Sequence, residues 1–479
     1  MRNIIRLINT SGLLLTCIFS FAQKHDYNFF NKSNVLNPGV GTHIQFVDSL
    51  DGIVVDTFVI SGDISFSPVF SDRSGDFLCY TNNSNIYDSL GRIAINGDSI
   101  AVGYFQNLWL TEFPEHWGSG VGQNAAFIPV TDSLFYLFHC SSEYSTSNPA
   151  WAIDIEEDGI PQLYYSDGCY FTELRLRRDG RIEIDLNKKK VEFLRDTLLA
   201  EQMTFVKHAN GEDWWILFPE HYSDSAYLYR FNVPEVDLIS KGKIYLSDLN
   251  DKVVTFRVTE SSPDGQVLAR FHNIPKLSQK LPLALELFYF DRCTGQVDRF
   301  LVDTFPTGEE SSFIGDVQFS DNGRFLYMAI GDHIIQLDME DEFPTETWDT
   351  IATIDDYRYY FLLTTFEQLW KLPNGEILVG SLNSTPYLHY IREPNNKGDA
   401  CNFERRAIRL PMDHTSPGND VKITTLPIYP PYRMPPLDYD CETSVDESER
   451  QSDVFVSLYP NPAWAETTVQ IHGAEIKRA

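Results

Sequence analysis

The stretch Gly315–Asp338, GDVQFSDNGRFLYMAIGDHIIQLD, limits the fold more than any other part of the chain. An apolar run holding Val317 and Phe319 meets the polar turn Ser320-Asp321-Asn322-Gly323. A second run covers Phe325–Ile330, and after Gly331-Asp332 a third carries Ile334, Ile335 and Leu337. That is the pattern of three short antiparallel strands joined by tight turns. Asn-Gly and Gly-Asp supply the positive φ that close reversals need, and the alternation between them predicts one buried face per strand.

Weaker copies of the unit recur at Val69–Tyr80, Ile128–Phe138, Phe205–Leu217, Ser261–Ala269 and Leu372–Val379. Their turns lie roughly 50–60 residues apart, with one longer interval before Gly211, a spacing that suits one four-stranded blade with its loops. Long helical patterns are hard to find, and the apolar stretch Leu281–Phe290 ends in the turn Asp291-Arg292-Cys293-Thr294-Gly295. The expectation is an all-β chain: a β-propeller of seven blades, each of four antiparallel strands. Sheets stacked face to face around an axis would also bury the aromatic residues, 14% of the chain, without invoking a ligand.

The ends read differently. Arg2 and Arg6, the apolar run Leu13–Phe19 and Ser20-Phe21-Ala22 before Gln23 predict an export signal over residues 1–22, cleaved between Ala22 and Gln23. The segment is shorter in apolar residues than a membrane span needs. Residues 23–436 form the predicted propeller body. Proline dominates Pro427–Pro436, residues 437–453 read as an acidic linker, and strand character resumes over 454–479. Lys plus Arg number 38 against 68 Asp plus Glu, a formal charge of −30. That sign repels phosphate backbones and anionic headgroups, so nucleic acid and membrane surfaces are not expected partners. Beyond the signal stand Cys79, Cys140, Cys169, Cys293, Cys401 and Cys441. None sits in a CxxC array, so one or two disulfides or buried thiols are expected rather than zinc.

Chemistry-bearing motifs are sparse. His208-Ala209-Asn210-Gly211 with Trp214-Trp215 would suit sugar stacking, but it reads better as a blade turn followed by a strand with one Trp on each side. Phe-Pro-Glu-His-aromatic occurs at Phe113–Trp117 and Phe218–Tyr222, and an acidic run spans Asp154–Gly159. Neither Glu-His pair has a second His at helical spacing, and the acidic run lacks the regular loop of a calcium hand. No Gly-x-Ser-x-Gly elbow, HExxH helix, P-loop or dinucleotide turn is present. No cofactor, metal set or catalytic residue is expected from sequence.

The tail Leu458-Tyr459-Pro460-Asn461-Pro462, followed by the alternating Thr467–Ile471, resembles the opening part of the C-terminal sorting domain of the Bacteroidetes-type type IX secretion system. That family's domain is a small β-sandwich, and the resemblance implies the secretion machinery as a partner. The body is similar to uncharacterised exported propeller-like proteins of the same bacteria. The matching residues are Gly75–Asn85, Gly122–His139, His208–Leu217, Tyr289–Gly295, Phe319–Tyr327 and Ala400–Pro411. The resemblance implies a secreted or cell-surface protein that passes through the periplasm, or stays there should the short tail go unrecognised. It brings no catalytic set. The expected function is a binding module for an extracellular glycan, peptide or surface protein; the alternative is a polysaccharide or peptide hydrolase or lyase with loop-borne carboxylates.

Overall fold

A computed structural model describes residues 24–32, 41–47, 53–58, 68–100, 103, 125–141, 143–144, 164–199, 203–220, 225–233, 235–245, 257–273, 283–305, 315–359, 362–381, 385–410, 429–438, 441, 455–459 and 468–472. By its internal contacts the chain divides into Met1–Pro436 and Leu437–Ala479. Among the described residues of the second unit, Phe455–Tyr459 pairs antiparallel with Thr468–His472.

The first unit is a β-propeller whose described helices are short 3-10 turns. Among the described residues six blades of the four-stranded antiparallel plan follow one another; in all but blade II the paired strands are adjacent in sequence, and in blade II Leu134–Cys140 pairs with Cys169–Leu176 across two short strands of another sheet. Their first strands are Val69–Ser71 (blade I), Ala125–Pro129 (II), Thr204–Lys207 (III), Arg257–Ser261 (IV), Asp316–Phe319 (V) and Gln368–Lys371 (VI). The first strands of blades III and IV, IV and V, and V and VI lie against each other, which puts them at the axis.

The expected four strands per blade are present in blades III to VI. Among the described residues blade I has three strands, Val69–Ser71, Phe77–Thr81 and Ile86–Asp88, and blade II has a fifth, Val191–Leu194. Beyond Asp88 the chain turns back on itself, Tyr87 bridging to Ile93, and Ile95 bridges to Glu183 of blade II. A further three-stranded sheet, Asn28–Lys32, Gly41–Phe46 and Ile53–Phe58, precedes blade I. Its Ile44 and Phe46 pack with Trp370, Leu378, Leu388 and Tyr390 of blade VI.

The repeat unit folds as its turn chemistry dictates. Gly323 has φ +74°, and its N–H donates to the Ser320 carbonyl at 2.9 Å. The Ser320 hydroxyl accepts from the Phe325 N–H at 2.9 Å and donates to Asn322 Oδ1 at 2.8 Å. Gly75, Gly211, Gly265 and Gly375 take the same positive φ in the corresponding turns.

Strand burial departs from the expectation of one buried face. Every residue of Asp316–Phe319 and Phe325–Ala329 is buried. Alternation sorts side chains between two neighbouring blades rather than between core and water. Val317, Phe319, Leu326 and Met328 pack with Ala269, Phe271, Leu285 and Leu287 of blade IV. Phe325, Tyr327 and Ala329 pack with Leu369, Ile377 and Val379 of blade VI.

The proline-rich segment closes one end of the axis. Tyr432 is buried, with its hydroxyl donating to the Phe127 carbonyl at 2.7 Å. The turn glycines of two blades receive the residues beyond it: a Cβ on Gly265 would stand 2.5 Å from Met434 Sδ, and one on Gly211 would meet Pro436 at 3.0 Å. Arg292, fully buried, ties these parts together through four backbone carbonyls. Its guanidinium donates to Lys207 O (2.7 Å), His208 O (3.0 Å), Asp264 O (2.7 Å) and Pro435 O (2.7 Å). Cys140 and Cys169, directly opposite on neighbouring strands of blade II, form a disulfide. Cys79 and Cys401 are free and buried.

Candidate functional site

The first strands of the blades interrupt their apolar runs with polar residues, and these gather at the axis. A small crevice there is lined by Ala125 and Ala126 of blade II, Thr204 and Phe205 of blade III, Thr259–Ser261 of blade IV, and Tyr429–Pro431. Its free space is that of about one water molecule. Glu260 is the charged side chain among its lining residues. Burial pushes the Glu260 carboxyl up to about 7, with the Lys371 ammonium and a hydrogen bond from the Gln318 amide pulling the other way.

Asp316 opens the first strand of blade V and is buried. Its Oδ1 accepts from the Val317 N–H and its Oδ2 from the Leu369 N–H of blade VI, both at 2.8 Å. Burial raises its pKa to about 8; the Leu369 N–H opposes this and the charge of Glu260 adds to it. Val317 and Phe319 face blade IV, so strand alternation puts Asp316 and Gln318 on the opposite side of the same strand. Gln318 is 7% exposed, and its Oε1 has no hydrogen-bond partner.

The cationic members stand at equivalent places in their repeats. Lys371 closes the first strand of blade VI; burial lowers its pKa, opposed by Glu260 and Asp321. Lys207 closes that of blade III, where burial and the neighbouring Arg292 and Arg73 lower it to about 7. Nearby, Arg433 donates to Asp26 Oδ1 at 2.6 Å. Glu260 and Lys371 are half-buried and Asp316 and Gln318 buried; carboxyls, an amide and a lysine so placed can bind hydroxyls or exchange a proton.

The residues singled out by motif lie elsewhere. His208, Trp214 and Trp215 are buried in the core. The Trp215 indole N–H donates to the Arg292 carbonyl at 2.7 Å, and Trp214 meets Tyr432 edge-on, so neither ring offers a sugar-stacking face. Of Phe218–Tyr222, Phe218 is core and Glu220 binds Lys243 Nζ at 2.9 Å; His221 and Tyr222 lie outside the described residues. So do Phe113–Trp117, Asp154–Gly159, Ala22, Gln23, Pro460, Asn461 and Pro462. Leu458 and Tyr459 belong to the strand Phe455–Tyr459.

Motif reading missed Glu260, Asp316, Gln318 and Lys371. The signal was there in the repeat: Glu260 and Gln318 each stand five residues before their turn glycine, and Lys207 and Lys371 each stand four before theirs. Charge recurring at one register position of a strand buried on both faces is the feature to look for.

No protein-family model matches the chain, and no curated protein matches it. Among solved structures, it is similar to the periplasmic gluconolactonase of Pseudomonas aeruginosa, with 11% identity over 84% of this chain and 99% of that one and a TM-score of 0.43. A protein from Lactobacillus plantarum shares 9% identity over 80% of this chain and 97% of its own, at a TM-score of 0.40. A hypothetical selenium-binding protein from Sulfolobus tokodaii shares 10% identity over 76% and 86%, at 0.39. The assignment as a β-propeller rests on the sheets themselves.

Proposed function

We propose that this chain is an exported or cell-surface propeller acting as a binding module for an extracellular glycan, peptide or surface protein. The observation that carries the reading is the set of polar residues Glu260, Asp316, Gln318 and Lys371 on the first strands of blades IV, V and VI, which lie against one another at the axis. A crevice of one water's volume does not admit a sugar ring or a peptide. The ligand is therefore engaged by the rim, with the axial cluster beneath it. The leader with its Ala22–Gln23 junction and the tail Leu458–Pro462 support passage through the periplasm to the type IX machinery. The Cys140–Cys169 disulfide suits an oxidising compartment. In the same reading the sheet Asn28–Phe58 closes the ring as a seventh blade.

A second reading, hydrolysis or lyase chemistry on a polysaccharide or peptide, is favoured by the neighbouring Glu260 and Asp316, whose raised pKa values suit proton transfer near neutral pH. Those carboxyls are borne by strands and not by loops. The test uses residues 23–479 on glycan arrays, peptide libraries and pull-downs from cell-surface fractions. Specific retention of one ligand class supports the binding module. Retention of nothing at all refutes it, and turnover abolished by D316N with retention intact moves the assignment to the second reading.

A further inference from the structure

The outer strands of blade VI carry two buried N–H groups that bond to nothing among the described residues. His389 lies in the third strand, Tyr387–Ile391, and is 1% exposed. Its Nδ1 accepts from the Arg406 N–H at 3.1 Å. Burial, reinforced by Arg405 and Arg406 and opposed by Asp355, lowers its pKa to about 3. The neutral ring therefore keeps its one proton on Nε2, where no acceptor meets it. Arg405 belongs to the fourth strand, Phe403–Arg409. Its Nη2 donates to the Thr353 carbonyl of blade V, and its Nη1 is buried without an acceptor.

Register brings these donors to one place. Phe403 pairs with Ile391 and Glu404 with Tyr390, and the bulge that follows sets residues 405–407 opposite His389. The same two rings flank both side chains. The His389 ring centroid is 5.1 Å from that of Phe366 and 5.8 Å from that of Phe403, and the Arg405 guanidinium carbon is 5.7 and 5.6 Å from them. At the bulge Arg406 takes φ +52°, in the left-handed region, a strain that collects at functional sites. Its own guanidinium is matched by Asp355 at 2.7 Å. Arg405, by contrast, meets no carboxylate within ion-pair distance among the described residues. Unmet buried donors are uncommon in folded proteins, and here one of two neighbours carries a full charge.

We propose that the Nε2–H of His389 and the Nη1–H of Arg405 hold one small monovalent anion between blades V and VI, a halide or a carboxylate group. Only an acceptor completes such a pair, and the guanidinium favours a charged acceptor over a neutral one. A strongly hydrated dianion would find just two donors and two apolar rings in exchange for its water, which selects a monovalent ion. The site lies on the outer strands of its blade, and its test does not depend on the binding-module reading. Chloride is followed by its chlorine NMR linewidth over the chain 23–479, and formate by proton saturation transfer. Saturable binding of at least one is expected, and which one binds tells a halide site from a carboxylate site. R405M and H389F should each weaken it by about tenfold or more, while R177M, which removes an exposed guanidinium of blade II paired with Glu183, should leave it unchanged. Should H389F fail to fold, judged by circular dichroism, R405M decides. Crystals soaked in bromide, or in formate where that is the ion bound, should show it within hydrogen-bond distance of both nitrogens. The proposal is overturned by saturable binding of neither ion, by equal binding in parent, R405M and H389F, or by a water alone at the two nitrogens.

Discussion

Arg292→Met is the most informative perturbation of the scaffold. Methionine keeps much of the aliphatic volume and removes the guanidinium, so four donors to Lys207 O, His208 O, Asp264 O and Pro435 O disappear together. The His208 carbonyl keeps the Gly211 N–H, which makes its loss the mildest. Taking the lower end of about 1.5 kcal/mol for each of the other three charge-assisted bonds gives a destabilisation of roughly 4.5 kcal/mol. With about 290 described residues in the first unit at roughly 2 cal/mol/K each, the unfolding entropy is near 0.6 kcal/mol/K, so the midpoint should fall by about 7 °C. Arg292→Lys keeps the charge with a single nitrogen and should recover no more than about half of that. Calorimetric melting gives the midpoint, and hydrogen exchange reads the local effect: the amides of residues 429–436 should lose protection before any blade strand does. A midpoint within about 1 °C of the parent, or unchanged exchange over 429–436, would refute the idea that this guanidinium holds the proline-rich segment to blades III and IV.

Three further outcomes follow from the same geometry. Gly265→Ala should destabilise by about 2 kcal/mol or more, since it combines φ +71° with a Cβ 2.5 Å from Met434 Sδ. Gly180→Ala, at φ +78° with open space around it, should lose only the ~1 kcal/mol of the backbone term; equal effects in urea titration would show that the Met434 contact is dispensable. His139 is held down to about 3 by burial, so it stays neutral in the fold while the unfolded chain protonates near 6.5. Its contribution is present above pH 6.5 and lost as pH falls toward 3, by up to about 1.4 kcal/mol per pH unit. His139→Asn should flatten the urea midpoint between pH 6 and 4 by about one proton, and an unchanged slope contradicts the assignment. Cys140→Ser with Cys169→Ser opens a link across 29 residues of sequence and should cost about 3 kcal/mol; melting at the parent midpoint would show that strand pairing alone fixes that register.

Turn chemistry was the legible part of this fold. Asn-Gly and Asp-Gly pairs mark the first hairpins of blades III to VI because a tight reversal needs φ above zero at one position, and that demand is local in sequence. Blade count was less legible for a physical reason as well. Whether the residues after Asp88 make a fourth strand or turn back depends on Ile95 finding a partner at Glu183, some ninety residues away. Strand burial misled in the same way: alternation normally separates core from solvent, whereas between two blades it separates one core from another, so polar residues do not mark an outside.

The axial cluster follows from that last point and explains why motif reading passed over it. Phe319, Ser261, Lys207 and Lys371 occupy one register position, four residues before the turn glycine, and Gln318 and Glu260 occupy the one before. In a strand with a wet face, a Lys or Glu at such a position is ordinary surface. Here neighbouring blades lie against both faces, leaving Lys207 buried and Glu260 and Lys371 half-buried, so burial acts on charges that a wet face would leave alone. The lowered Lys207 and Lys371 and the raised Glu260 and Asp316 are the consequence. A chain selected only for a stable ring would fill these positions with valine or leucine, since a buried ion pair seldom outperforms well-packed apolar residues of similar volume. Their retention at the centre of the fold, beside an acceptor with nothing to accept, is the reason to look for this protein's function at its axis and not among its scattered Glu-His and Trp-Trp motifs.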